Sequence, residues 1–179
     1  HLVAFRKDTG VVRVQIIDLN DFNVSHDVQF PEPVYTVGSA GNLEYDSTTL
    51  RLSYQSLVTP PSVLDYDMDR RSMSTVKVQE VPGYKASDYE SKRLFASAPD
   101  GTLVPISLVY KKGIKLNNSN PLHLYGYGSY GFGLPTTFGA ARVSLLDRGY
   151  VYALAHIRGG NELGESWRAD GKLKKKMNT

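Results

Sequence analysis

Residues 121–157 constrain the fold more than any other stretch. Pro121-Leu122-His123-Leu124-Tyr125 is a short apolar strand that runs directly into a glycine-rich segment, Gly126-Tyr127-Gly128-Ser129-Tyr130-Gly131-Phe132-Gly133. Beyond it, Phe138, Ala141 and Leu145 recur at helical spacing in a segment that stops at Gly149, a suitable left-handed C-cap. Tyr150-Val151-Tyr152-Ala153-Leu154-Ala155-His156-Ile157 is then almost continuously apolar, as expected of a parallel strand buried on both faces. Strand, glycine-rich loop, helix and buried strand in that order read as parallel α/β sequence. His123 and His156 fall in these expected core strands, where a satisfied structural histidine is the reading that the absence of metal-like spacing favours.

The sequence before this region has a different texture. Val11 to Asp18 is rich in β-branched residues, and Thr49 to Leu57 alternates apolar and polar with period two, so both read as half-buried antiparallel strands. Turn chemistry at Gly38-Ser39-Ala40-Gly41, Pro60-Pro61 and Asp69-Arg70-Arg71 is spaced as in a sandwich, barrel or propeller, and no helix is expected in this half. The composition shifts near Pro82-Gly83-Tyr84. Glu90 to Ala98 and Leu103 to Tyr110 then form a hairpin through Pro99-Asp100-Gly101. Two units are expected, an all-β unit over residues 1–80 that continues upstream and an α/β unit over 81–179.

Composition removes several function classes. No run approaches the roughly 20 apolar residues that a membrane-spanning helix needs, and the opening residues are too few for a signal-peptide core. There is no cysteine, hence no disulfide and no thiolate metal site, which fits a reducing compartment and a cytoplasmic location. The net charge of +3 owes much to one run, Lys172-Leu173-Lys174-Lys175-Lys176, and no aromatic platform or recognition-helix pattern accompanies it. Neither a nucleic-acid nor a membrane partner is expected, and no cofactor or metal.

The order hairpin, strand, glycine-rich loop, helix, buried strand matches the first part of an α/β-hydrolase sheet. There the loop after the third strand supplies oxyanion donors, and the nucleophile follows later on a Gly-x-Ser-x-Gly turn. That turn does not occur here. Ser129 has Tyr127 two residues before it, Ser39 has Val37, and Ser166 has Arg168 two residues after it, so each lacks one glycine. All four histidines, His1, His26, His123 and His156, precede any position the serine could take. The expectation is a chain that ends before its nucleophile, with Asn178-Thr179 as the N-cap of the next helix, and that is inactive by itself. In the glycine-rich loop, Gly126-Tyr127-Gly128 is followed by Gly131 and Gly133, which fits neither the P-loop nor the dinucleotide fingerprint. Its tyrosines can donate a phenol to a developing oxyanion or can merely pack in a surface loop, and the residues alone leave both readings open.

At this point the chain resembles a known family. Leu124-Tyr125-Gly126-Tyr127-Gly128-Ser129-Tyr130-Gly131, Ser144-Leu145-Leu146-Asp147-Arg148-Gly149 and His156-Ile157-Arg158-Gly159-Gly160-Asn161-Glu162-Leu163-Gly164 look like the prolyl oligopeptidase family, its oligopeptidase B branch above all. The stretch from Ser87 to Thr179 carries the resemblance, and the first 80 residues fit by position and strand character. The resemblance implies a seven-bladed β-propeller, with its last blades in residues 1–80, covering an α/β-hydrolase domain of which 81–179 is the N-terminal part of the catalytic sheet. It implies a serine-type endopeptidase that cleaves short peptides after Arg or Lys by acyl-enzyme chemistry.

Tyr127 matches the family's oxyanion donor, and Tyr130 matches the aromatic position close to substrate. Arg158 and Glu162 match an Arg-Gly-Gly-x-Glu loop that forms the cleft or holds it by a salt bridge. The triad and the carboxylates that would recognise a basic side chain fall beyond Thr179 by the same resemblance. Where some relatives carry two acidic residues this chain has Leu134-Pro135-Thr136-Thr137, so a preference for paired basic residues is not implied. An esterase or acylaminoacyl-peptidase of the same fold, and a non-catalytic interaction protein built on propeller blades, are the rival readings.

Overall fold

The computed structural model describes residues 1–117 and 119–179. Strand β1 (Leu2–Asp8) turns through Thr9-Gly10 into β2 (Val11–Ile17), and β3 (Ser25–Asp27) completes an antiparallel sheet of order β1-β2-β3. Four more strands, β4 (Tyr35–Ser39), β5 (Thr49–Ser56), β6 (Ser62–Asp67) and β7 (Ser72–Val78), make an antiparallel meander in chain order, the unit from which propeller blades are built. The period-two pattern on β5 is realised: Leu50, Leu52, Tyr54 and Ser56 face inward and are buried, whereas Thr49, Arg51 and Ser53 face out. Inward residues of both sheets, among them Val14, Ile16, Val37, Leu52 and Tyr66, form one apolar cluster.

Two of the three expected turns lie between strands, Pro60-Pro61 before β6 and Asp69 to Arg71 before β7. Gly38 and Ser39 instead finish β4, and the chain turns only from Ala40. The reason is Asn42, whose side-chain amide donates to Ser39 Oγ, Ala40 O and Arg51 O and whose carbonyl accepts from Arg51 N, so the turn is held from within the loop.

The second part forms the expected hairpin, β8 (Tyr89–Ser97) and β9 (Leu103–Lys111), followed by β10 (Leu122–Gly126), helix α1 (Ala140–Asp147), β11 (Val151–Ala155) and helix α2 (Glu165–Ala169). The sheet order is β10-β11-β9-β8, with β10 and β11 parallel and the other pairs antiparallel. Gly149 takes φ +85° after α1, as a left-handed C-cap requires. Three details differ from the pattern read in the sequence. Phe138 precedes the helix, and the residue that α1 buries is Leu146 rather than Ala141 or Leu145. Strand β10 is exposed along its length, because among the described residues only β11 pairs with it. His123 is therefore a surface residue stacked on Tyr152 (centroids 5.3 Å apart) and not a core one. Leu173–Asn178 forms a 3-10 turn that the charge run did not suggest, with Asn178 inside it.

The two parts share a core. Val34, Leu57 and Val58 from the first pack with Tyr89, Val109 and Leu146 from the second, and Tyr84 Oη donates to Val58 O at 2.5 Å. Burying each such aliphatic side chain is worth about 1.5–3 kcal/mol. Among the described residues no helix is long and apolar enough to cross a membrane, and no group of three or more His, Asp and Glu could hold a metal ion.

Candidate active site

Because β10 and β11 are parallel, the segments that leave them, 127–139 and 156–164, emerge at the same carboxyl edge of the sheet, where open α/β sheets form their clefts. The two segments are pressed together by glycines. A Cβ on Gly159 would lie 2.1 Å from Gly128 O, one on Gly171 2.2 Å from Gly159 N, and one on Gly128 2.7 Å from Arg158 O. Only residues without side chains permit that approach, and Gly128 and Gly159 also take positive φ. Gly131 N donates to Gly159 O at 2.9 Å, adding a direct bond between the loops.

Within the first loop, Phe132 N donates to Ser129 O at 3.0 Å, with φ +56° at Tyr130 and +67° at Gly131, the signature of a type I′ turn. Tyr130 stands at its tip and is 92% exposed. Tyr127 leaves the end of β10 with its ring edge-on to Phe132, centroids 6.0 Å apart. It is 43% exposed, and its hydroxyl makes no hydrogen bond to the described residues. Lys176 was legible only as part of a basic run, yet its Nζ donates to Gly128 O at 2.6 Å and Ser129 Oγ at 3.1 Å. Lys175 of the same run is paired with Asp170.

Arg158 and Glu162 are both buried, and they do not pair with each other. Arg158 reaches across to the β8–β9 turn, where it donates to Asp100 and Thr102, while its Nε donates to Asn178 O at 2.9 Å. The guanidinium holds the Asp100 carboxyl at about 2, below the usual carboxylate range. Glu162 Oε1 accepts Leu134 N at 3.0 Å and lies 3.5 Å from His156 Nδ1. Burial works to raise the Glu162 carboxyl, but the facing imidazole and the Leu134 N–H outweigh it and hold the group below its ordinary value. Both residues therefore brace the loops from behind, and the aromatic side chains of the loop that stay exposed are Tyr127, Tyr130 and Phe132.

Two residues the sequence reading passed over belong to this bracing. Ser107 of β9 has no exposed surface, and its Oγ is 2.8 Å from His156 Nε2; Arg93 of β8, its direct cross-strand partner, donates to Ser107 Oγ at 2.8 Å. The alternation of β9 could have placed Ser107 inward, but nothing local in the sequence joins it to a histidine 49 positions on.

Residues 1–79 match the model of the prolyl oligopeptidase N-terminal β-propeller domain, and residues 136–179 match that of the prolyl oligopeptidase family. Dipeptidyl aminopeptidase BI of Pseudoxanthomonas mexicana is 44% identical over 85% of this chain and 21% of its own length. Protease 2 of Moraxella lacunata is 32% identical over 99% of the chain and 26% of its own length. The structure of oligopeptidase B from Leishmania major superposes with a TM-score of 0.82 at 38% identity, covering 99% of this chain and 26% of that one. The chain thus spans about a quarter of the length of these relatives.

Proposed function

Because the chain belongs to the prolyl oligopeptidase family, we propose that it supplies propeller blades and the oxyanion-binding corner of a serine oligopeptidase, divided near residue 80. In this reading the nucleophile and the other triad members come from residues outside the chain. One observation carries it: an exposed tyrosine hydroxyl with no internal bond stands at the carboxyl edge of a parallel strand pair, on a loop fixed at both ends. When serine attacks a peptide carbonyl, negative charge grows on the carbonyl oxygen, and the Tyr127 hydroxyl donates to it. The acyl-enzyme that follows is released by water, and no cofactor takes part. Tyr130 offers an exposed aromatic surface to the peptide, whereas Arg158 and Glu162 act from behind the loops.

Short peptides are the proposed substrates, cleaved after Arg or Lys, and the likeness to oligopeptidase B supports this. Leu134-Pro135-Thr136-Thr137 brings no carboxylate to the loop, so a paired basic site finds no support there. The relative named dipeptidyl aminopeptidase favours a second reading, removal of dipeptides from free amino termini.

The natural protein, incubated with peptides carrying Arg, Lys or Pro at one position and either free or blocked at the amino terminus, separates these readings. Internal cleavage of blocked peptides after Arg or Lys supports the first, and release of dipeptides from free termini alone supports the second. Turnover confined to esters or acylated amino acids would replace both with the esterase reading. Failure to label with a fluorophosphonate would overturn every serine-enzyme reading and leave a propeller-based interaction protein.

A further inference from the structure

Behind the glycine-rich loop, Ser107, His156 and Glu162 stand in a row that resembles a triad, with Ser107 Oγ 2.8 Å from His156 Nε2 and His156 Nδ1 3.5 Å from Glu162 Oε1. It is not a second hydrolytic centre. Ser107 is wholly buried in the middle of β9, with no sharp turn to present it, and its oxygen already accepts from Arg93. That bond gives the row a direction. Arg93 can only donate, so the Ser107 hydroxyl proton is free to go to His156 Nε2, and the tautomer that accepts it carries its proton on Nδ1, toward Glu162. The opposite tautomer would face an imidazole lone pair with a carboxylate. Two hydrogen bonds, Arg93 to Ser107 and Ser107 to His156, and the 3.5 Å approach of His156 Nδ1 to Glu162 Oε1 thus connect a guanidinium to a carboxylate.

The ends of this row hold different parts of the chain. Arg93 Nη2 donates to Thr9 O at 2.8 Å, and Gly10 is so close that a Cβ there would lie 2.8 Å from the same nitrogen and 3.7 Å from Glu162 Cβ. At the far end Glu162 holds Leu134 N, where the glycine-rich segment ends. A cavity of about 140 Å³ beside the row is lined from both parts, by Val11 and Tyr35 on one side and Gly133, Thr136 and Glu162 on the other. Burial pushes Arg93 down to about 10, consistent with a charge removed from water. Removing the middle of the row would leave a half-buried guanidinium and a buried carboxylate without their link, which makes the arrangement close to all-or-none.

We propose that Arg93, Ser107, His156 and Glu162 form a latch that clamps the Thr9-Gly10 turn of the first strand pair onto the sheet bearing the glycine-rich loop. Docking of that turn then sets the position of the loop. All four are positioning residues, and the latch does not depend on the peptidase reading.

The Ser107 hydroxyl bonds to Arg93 and His156 and to neither the turn nor Leu134, so Ser107→Ala is the discriminating variant. By hydrogen–deuterium exchange on the natural protein, Ser107→Ala should speed exchange roughly tenfold in both segments 5–12 and 129–136, with the β5–β6 segments unchanged. Arg93→Lys keeps the charge but cannot span Ser107 and Thr9 with one fork, so it should release 5–12 and, with the turn undocked, 129–136 as well. Should Ser107→Ala not fold, Arg93→Lys decides the matter alone. Uniform loosening, or release of one segment without the other in Ser107→Ala, or an unchanged 5–12 segment in Arg93→Lys, would overturn the latch.

Discussion

Replacing Tyr127 by phenylalanine isolates one hydroxyl group. In the resting protein that hydroxyl bonds to none of the described residues, and the ring is held by its edge-on contact with Phe132 at 6.0 Å, which phenylalanine keeps. No buried donor loses its partner and no cavity opens, so the stability of Tyr127→Phe should match that of the unaltered protein. The uncharged substrate carbonyl gains little from the phenol, so KM should hardly move. The loss falls on the transition state. Deleting one oxyanion donor costs about 2.7–4 kcal/mol, so kcat in the natural protein should drop roughly 10²- to 10³-fold. Steady-state kinetics on a short fluorogenic peptide, with a thermal melt of the same preparation, would measure both. An unchanged kcat, or a rise in KM alone, would remove Tyr127 from the oxyanion site. A matching fall in the melting temperature would instead show that the hydroxyl serves the fold.

Three further outcomes follow from the packing. Gly159→Ala sets a Cβ 2.1 Å from Gly128 O at a residue with φ +97°, and should lower stability by more than about 1 kcal/mol, read from denaturant midpoints; a neutral result would mean the loops are not clamped as described. Leu146→Ala empties a site shared by both parts of the chain and should cost about 2–5 kcal/mol in the same assay, whereas a cost under 1 would place Leu146 outside the core. Asp100 is held at about 2 against an ordinary 3.8, so it stabilises the folded state fully above about pH 4 and loses that contribution as the pH falls toward 2. Asp100→Asn should flatten the loss of stability across that window, and an unchanged profile would deny the Arg158 pairing.

Much of this was legible in local pattern. The alternation of β5, the hairpin through Pro99-Asp100-Gly101 and the Gly149 cap are each decided within a few residues, so periodicity and turn chemistry recovered them. What local pattern missed has a common cause. His123 read as core because its strand is apolar, but burial depends on which strands flank β10, and only β11 does among the described residues. Arg158 and Glu162 share a motif read as forming the cleft or holding it by a salt bridge; each faces an opposite charge, but their partners, at the β8–β9 turn and at His156, could not be named from the motif. Lys176 was legible only as part of a basic run because its acceptor lies 48 positions away. Side-chain partnerships at such separations are set by the assembled sheet and not by neighbours in sequence.

The glycine-rich loop joins these strands of argument, because an oxyanion donor helps only if it is already in place when charge develops. A segment with glycine at 126, 128, 131 and 133 has more backbone freedom than almost any other sequence, and that freedom is the reverse of preorganisation. The structure resolves the conflict by using the missing side chains for contact. Gly128 is closed in by Arg158 and Gly159, Lys176 bonds its carbonyl, Gly131 is tied to Gly159, and Glu162 holds Leu134 beyond the far end. What remains exposed on that fixed backbone are the side chains of Tyr127, Tyr130 and Phe132, with the Tyr127 hydroxyl bonded to none of the described residues. Glycine is therefore needed here for close approach more than for flexibility, and adding a methyl group at Gly159 should disturb the position of Tyr127 without touching it.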